Sequence, residues 1–281
     1  MSHHGAQDFW SGPRLRWVAG ALVVINGFFP AVWILLTSLK TEAELVTRPI
    51  SYWPRNPTLD NYVFAFTDQP LWRFILNSVA VAGLSTVVTL LVSSLAAYAI
   101  ARLNLKSRQW ILTAIVASSM FPLITLLVPI FETMRALGLL NTYLALVLPY
   151  TVLSLPVCTL VLVSFFQSIP RDLENAAMID GCTRLGALWR VVVPLSAPGV
   201  FTAGILSFVN AWDEFLLALS LNSSPTMRTL PVGITLYQTE FVFPWPVISA
   251  ALVVAIVPIA VLIAVFQERV VGGLTQGGLK G

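Results

Sequence analysis

The chain has 281 residues, of which 57% are hydrophobic and only 10% charged, giving a mean hydropathy of +0.83. Soluble domains carry about 25% charged residues, so this composition excludes a water-soluble fold and divides the length among membrane spans instead. Two cysteines exclude a disulfide scaffold, the apolar content excludes a disordered chain, and the net charge of +3 serves topology rather than nucleic-acid binding.

The polar residues 1–16 hold His3 and His4 side by side, without the further ligands of a metal site. After them, the intervals free of charge predict six transmembrane helices, near residues 17–39, 74–101, 109–131, 143–166, 199–221 and 247–267. Each is close to the roughly 20 apolar residues a bilayer requires. The runs are continuous rather than alternating, so helices and not barrel strands satisfy the backbone in lipid. The first run is too long for a signal-peptide core and no small-residue cleavage site follows it, so it is expected to be retained.

Basic residues set the orientation. With both termini in the cytoplasm, the inner segments hold Arg14, Arg16, Arg102, Lys106, Arg108, Arg171, Arg184, Arg190, Arg269 and Lys280. The outer ones hold Lys40, Arg48, Arg55, Arg73, Arg135 and Arg228. This asymmetry favours cytoplasmic tails at 1–16 and 268–281. The outer stretch 40–73 carries Pro49, Pro54, Pro57 and Pro70 and is expected to pack as an extended cover. Within the spans, Gly83, Ser85, Ser93, Ser94, Ala96 and Ala97 suggest a small-residue packing face. Met120 and Phe121 beside Pro122 form either a gate or simple packing, with packing the favoured reading.

The inner segment 167–198 is the only large piece on its side, so contact with a cytoplasmic partner belongs there. Its pattern is two short helices around a turn. Pro170 suits a helix start, and Asp172 and Glu174 suit the positive end of the dipole. Asp180-Gly181 marks the turn. Thr183 is placed to cap a second helix that carries Leu185, Leu188, Trp189 and Val192 at helical spacing. Periodicity leaves two possibilities open: an amphipathic pair lying on the membrane surface, or a knob that docks in a partner's cleft.

The residues of this segment resemble the EAA loop of ABC-importer permeases, which runs E-A-A-x-x-D-G-A, nine residues, I-x-L-P. Asn175-Ala176-Ala177 falls on the tripeptide and Asp180-Gly181 on the D-G pair. Cys182 replaces the alanine, and Pro194 follows at the expected distance. Pro57 to Tyr62, Asn77-Ser78, Ala97 to Arg102, Trp212 to Leu219 and the tail Gly272 to Gly281 are similar to segments of the maltose/trehalose-type sugar permeases, in the smaller six-span subunit class.

The resemblance implies an all-α polytopic membrane protein of the type I ABC-importer permease fold, in the bacterial plasma membrane. Glu174, Asn175, Ala176, Ala177, Asp180, Gly181, Cys182 and Arg184 would couple it to an ATPase. Gly277, Gly278 and Lys280 would contact that ATPase through the tail. The implied partners are a second homologous permease, two ATP-binding subunits and an extracytoplasmic solute-binding protein. The implied cargo is a sugar or glycoside such as maltose, trehalose or glucosylglycerol. ATP and magnesium would sit on the partners, since the chain has no Gly-x-x-x-x-Gly-Lys-Ser/Thr loop, and this subunit would bind no cofactor.

Asp213 and Glu214 are the only adjacent acids inside a predicted span. Asn210, Trp212, Asp213 and Glu214 either line a sugar pathway, as intramembrane polar groups commonly do, or brace a helix bend. A secondary transporter would show inverted repeats or ion ligands, and a membrane enzyme a catalytic constellation. Neither is evident, and no catalytic or metal-binding residues are assigned.

Overall fold

The computed structural model describes residues 13–239 and 241–278, with side chains from Trp17 to Phe266. His3, His4 and Lys280 lie outside the described residues. The chain divides into two units, Met1–Gln69 with Leu236–Ile256, and Pro70–Thr235 with Val257–Gly281.

In the first unit, helix α1 (Pro13–Ser38) is apolar and bare along most of its length; Leu22, Val23 and Phe28 are all exposed, a surface suited to lipid. The stretch after it is not an extended cover. It folds into α2 (Glu42–Leu45) and α3 (Asp60–Asp68) because two buried charges gather the backbone around them. Lys40, 1% exposed, donates to the Ser51 carbonyl at 2.6 Å and lies 4.9 Å from the centre of the Trp33 ring. Glu44 accepts from the amides of Arg55 and Asn56 at 3.1 and 2.8 Å. Asn61 ties α3 back by donating to the Ser38 and Lys40 carbonyls, each at 2.8 Å.

The second unit contains α4 (Leu71–Arg102), α5 (Arg108–Ser119), α6 (Leu123–Ala136), α7 (Leu144–Ser168), α8 (Arg171–Ile179) and α9 (Arg184–Ala187). A π-helical turn at 188–192 leads through α10 (Val193–Leu195) into α11 (Ala197–Asp213), α12 (Leu216–Leu221) and α13 (Leu230–Ile234). Helix α14 (Trp245–Gly278) begins in the first unit and continues in the second. Helices α4, α7 and α11 pack on one another. Of the small-residue face predicted on α4, Ser85, Ser93, Ser94 and Ala97 are buried, whereas Gly83 and Ala96 are only partly so. Gly199 lets α11 approach α7 so closely that a Cβ there would sit 2.3 Å from Phe165 Cγ.

Among the described residues, four helices are long and apolar enough to cross a membrane, or up to six if each of two bent pairs counts as one span. The bends alter two predicted spans. The third breaks between α5 and α6, which meet at 92°; Pro122 offers no amide and disfavours helix at Phe121 before it. The helices entering and forming the fifth, Arg184–Leu195 and Ala197–Asp213, meet at 85°. At its far end α11 stops at Glu214, whose ψ of 127° is extended, and α12 resumes beyond it. Helix α14 passes the predicted end at residue 267 and carries Gly277 and Gly278 in its last turn.

Candidate functional site

Two places in the second unit gather the predicted site residues. The first is segment 167–198. Pro170 precedes α8, with Asp172 and Glu174 in the first turn. The helix closes on Gly181, whose φ is +89°, a left-handed value glycine adopts without steric cost. The amide of Gly181 donates to the Met178 carbonyl at 3.1 Å and that of Cys182 to the Ala177 carbonyl at 2.9 Å, the paired bonds of a Schellman ending. Thr183 Oγ1 accepts from the Gly186 amide at 3.1 Å, so it caps α9 as its residue type predicts.

Around this turn Asn175, Ala176, Asp180, Gly181 and Arg184 are exposed, and Ala177 and Cys182 are partly so. Ile179 is 85% exposed, and Leu173 and Leu185 are also uncovered. Glu174 is different. It is buried, its Oε2 is 3.0 Å from Arg102 Nε, and its Oε1 accepts from the Tyr98 hydroxyl. Arg102 Nη2 also donates to the Ile169 carbonyl at 3.0 Å. A groove of about 430 Å³ opens beside this cluster, lined in part by Arg171, Asn175 and Arg184.

The second place is the far end of α11. Asn210 and Asp213 face a groove of about 360 Å³, with Ser154, Cys158 and Ser207 among its other walls. Asn210 and Glu214 share a second groove of about 210 Å³ with Tyr150 and Ser154. Among the described residues, no Lys or Arg lines either groove. Trp212 is 2% exposed and stacks on Phe208 with centroids 5.7 Å apart. Glu214 spans the helix break: Oε1 accepts from the Leu217 amide at 2.8 Å, while Oε2 accepts from the Ala218 amide at 3.1 Å and the Tyr150 hydroxyl at 2.5 Å. Glu214 is therefore a brace with one edge on a groove, whereas Asn210 and Asp213 are open to theirs.

Residues 89–276 match the family described as "Binding-protein-dependent transport system inner membrane component". The chain belongs to this family. The sulfoquinovosyl glycerol transport system permease protein SmoH of Agrobacterium fabrum is 72% identical over 277 residues, 99% of this chain and 97% of its own length. The trehalose/maltose transport system permease protein MalG of Thermococcus litoralis is 38% identical over 272 residues, 95% of this chain and 97% of its own. A bacterial ABC transporter that imports the acidic polysaccharide alginate has the same fold, with a TM-score of 0.80 at 20% identity, covering 95% of this chain and 99% of that one. The protein is thus a non-catalytic permease subunit of a sugar ABC importer, all-helical and of the type I importer permease fold. The resemblance carried by the spacing from Asn175 to Pro194 identified the family. The secondary-transporter and membrane-enzyme alternatives fall away.

Sequence reasoning named none of Tyr98, Arg102, Asn77 or Tyr150 as a site residue, although Arg102 served as a topology signal and Asn77, Tyr98 and Arg102 lay in segments that carry the family resemblance. Arg102 was visible as the charge ending a span, and buried Glu174 needs such a partner. The polar Asn77 inside an apolar run was a second signal. It donates to the Thr226 and Arg228 carbonyls at 3.0 and 2.8 Å and accepts from the Tyr143 hydroxyl at 2.8 Å.

Proposed function

We propose that this subunit forms half of the pathway of a bacterial inner-membrane importer for a sulfo-sugar glycoside, and that the turn between α8 and α9 docks on a separate ATPase. The substrate class rests on the 72% identity to a sulfoquinovosyl glycerol permease; a sugar joined to glycerol is compatible with glucosylglycerol, one of the several cargoes that the family resemblance leaves open. In this scheme a second permease completes the pathway, two ATP-binding subunits drive it, and a solute-binding protein delivers the cargo. The termini face the cytoplasm.

The observation that carries the docking assignment is the exposed face around Gly181. Asn175, Ala176, Asp180 and Arg184 are exposed, as is Ile179, at the turn between α8 and α9. With Asn175 in place of the family's glutamate, that face contacts its partner there by hydrogen bonding rather than by ion pairing. Arg102 and segment 167–198 share one end of α4, as the cytoplasmic assignment of both requires. At the other site, Asn210, Ser154 and Asp213 offer hydrogen bonds to sugar hydroxyls. The tail residues Gly277, Gly278 and Lys280 are assigned to the same ATPase contact.

The test is Gly181→Asp. A side chain at Gly181 meets no atom of this chain within 4 Å, so its effect falls on the left-handed turn and on whatever covers it. The variant is expected to insert normally and to lose the ATPase on co-purification. Retention of the ATPase with undiminished import would favour the membrane-surface alternative, in which Leu173, Ile179 and Leu185 rest on lipid.

A further inference from the structure

We propose that Glu174 is the mechanical joint between the docking helix and the span α4, acting inside this chain rather than as a contact for the ATPase. The inference rests on the docking assignment above and concerns how motion leaves the docked turn.

Helix α8 presents Asn175, Ala176 and Asp180 outward, yet turns Glu174 inward to a site where it is 7% exposed. Both carboxylate oxygens are engaged from α4, Oε2 by Arg102 at 3.0 Å and Oε1 by the Tyr98 hydroxyl. Arg102 binds the segment a second time through the Ile169 carbonyl, just ahead of α8. One residue at the end of α4 therefore holds the start of α8 at two points, and Tyr98, one turn earlier, adds a third.

Burial makes this tie different from a surface ion pair. Exposed pairs exchange with water at little cost. A buried carboxylate stripped of its partners has no comparable alternative. Displacing α8 therefore either carries α4 with it or strands Glu174, and the first is the cheaper course. Tyr98 also belongs to the buried cluster that joins α4 to α7 and α11 through Ala97, Cys158, Leu162 and Ala203. A pull on Arg102 thus enters the three packed helices, one of which, α11, carries Asn210 and Asp213 on the groove side. The link between α7 and α8 is only Ile169 and Pro170, which leaves little chain to absorb the movement.

The experiment uses the whole importer in proteoliposomes and reads ATPase co-purification and sugar imported per ATP hydrolysed. Glu174→Gln is expected to keep the ATPase on the complex and to lower import per ATP at least about fivefold, the low end of an ordinary coupling free energy. Tyr98→Phe, which removes one hydroxyl and keeps the ring, is expected to lower the ratio less. The exchange Arg102→Glu with Glu174→Arg is expected to recover part of it. An unchanged ratio in Glu174→Gln overturns the joint. So does loss of the ATPase from Glu174→Gln, which would make Glu174 a docking contact and leave the docking assignment standing. If Glu174→Gln does not assemble, Tyr98→Phe is judged by the same two readouts. A Gly181→Asp importer that keeps its ATPase and imports normally removes the docking assignment, and the joint with it.

Discussion

Tyr150 donates its hydroxyl to Glu214 at 2.5 Å, joining α7 to the break that follows α11. The same carboxylate receives the Leu217 and Ala218 amides, which begin α12 and have no carbonyl partner one turn earlier. Glu214→Ala is expected to cost about 1–2 kcal/mol, the usual loss when a helix-start acceptor is removed. Tyr150→Phe is expected to cost about 1 kcal/mol for one hydrogen bond. Both are read as lower thermal midpoints of the purified importer. If Glu214→Ala melts with the wild type, the brace assignment is wrong.

Asn77 holds the start of α4 to the segment before α13 through the carbonyls of Thr226 and Arg228. Ser78 adds a bond from the Leu230 amide at 2.8 Å. Asn77→Leu fills similar volume but leaves two carbonyls and the Tyr143 hydroxyl without their partner. Stranded buried polar groups cost about 1–3 kcal/mol, so the variant is expected to be among the least stable single changes in this unit. Asn77→Asp keeps an acceptor for Tyr143 and loses both donors. It should fall with Asn77→Leu if the carbonyl bonds dominate, and near the wild type if Tyr143 does.

The family and the turn at Gly181 were legible in the sequence because both depend on local chemistry. Gly181 must turn left-handed, Thr183 must cap, and the spacing to Pro194 is counted along one strand of text. The bends were less legible. A proline such as Pro122 can kink a helix, but a 92° break depends on what each half packs against. The inward turn of Glu174 was not legible. The sequence placed Glu174 in the first turn of a helix, and only the return of the chain beside Arg102, 72 positions earlier, shows that it turns inward. Trp212 was grouped with Asn210 and Asp213 by proximity in sequence, although a helix sends neighbouring side chains to different faces.

Gly199 and Gly83 separate glycine used for packing from glycine merely present. A Cβ at Gly199 would lie 2.3 Å from Phe165 Cγ and 2.8 Å from its Cβ, positions near the backbone that cannot swing away. Gly199→Ala is expected to cost about 1–3 kcal/mol through overpacking. Gly83 in α4 has nothing within 4 Å of the same position, so Gly83→Ala is expected to be neutral or stabilising by up to about 1 kcal/mol. Thermal midpoints of the two variants should move in opposite directions or differ by several degrees. Equal shifts would contradict the close approach of α11 to α7.

Tyr237, between α13 and α14, donates its hydroxyl to the Ala65 carbonyl. Burial and the nearby Asp68 carboxylate push its pKa well above the ordinary 10.0. The folded protein then holds this proton more tightly than the unfolded chain. The associated stability is fully present below pH 10.0 and is lost as pH rises from there toward the folded pKa. Tyr237→Phe is expected to show a flatter stability profile above that pH while losing one hydrogen bond at neutral pH. A profile as steep as the wild type's would assign the alkaline loss to other groups.

On the proposed pathway, the charge of Asp213 sets which cargo the groove on α11 tolerates. It is exposed to a cavity of about 360 Å³ in which no Lys or Arg among the described residues faces it. A neutral glycoside gains a hydrogen-bond acceptor there, whereas an anionic one meets a like charge. On the proposed pathway, import of an anionic cargo therefore needs its counter-charge from outside this face. Asp213→Asn retains hydrogen bonding and removes the charge. Its KM for an anionic glycoside is expected to fall about fivefold, the size of a like-charge repulsion across roughly 4 Å of water, with the KM for a neutral glycoside changed less than about twofold. Added salt should shrink the difference, because screening acts on the charge and not on the hydrogen bond. Equal changes for both cargoes would make Asp213 a structural residue of the α11 end. No change for either would place the sugar entirely on the partner permease.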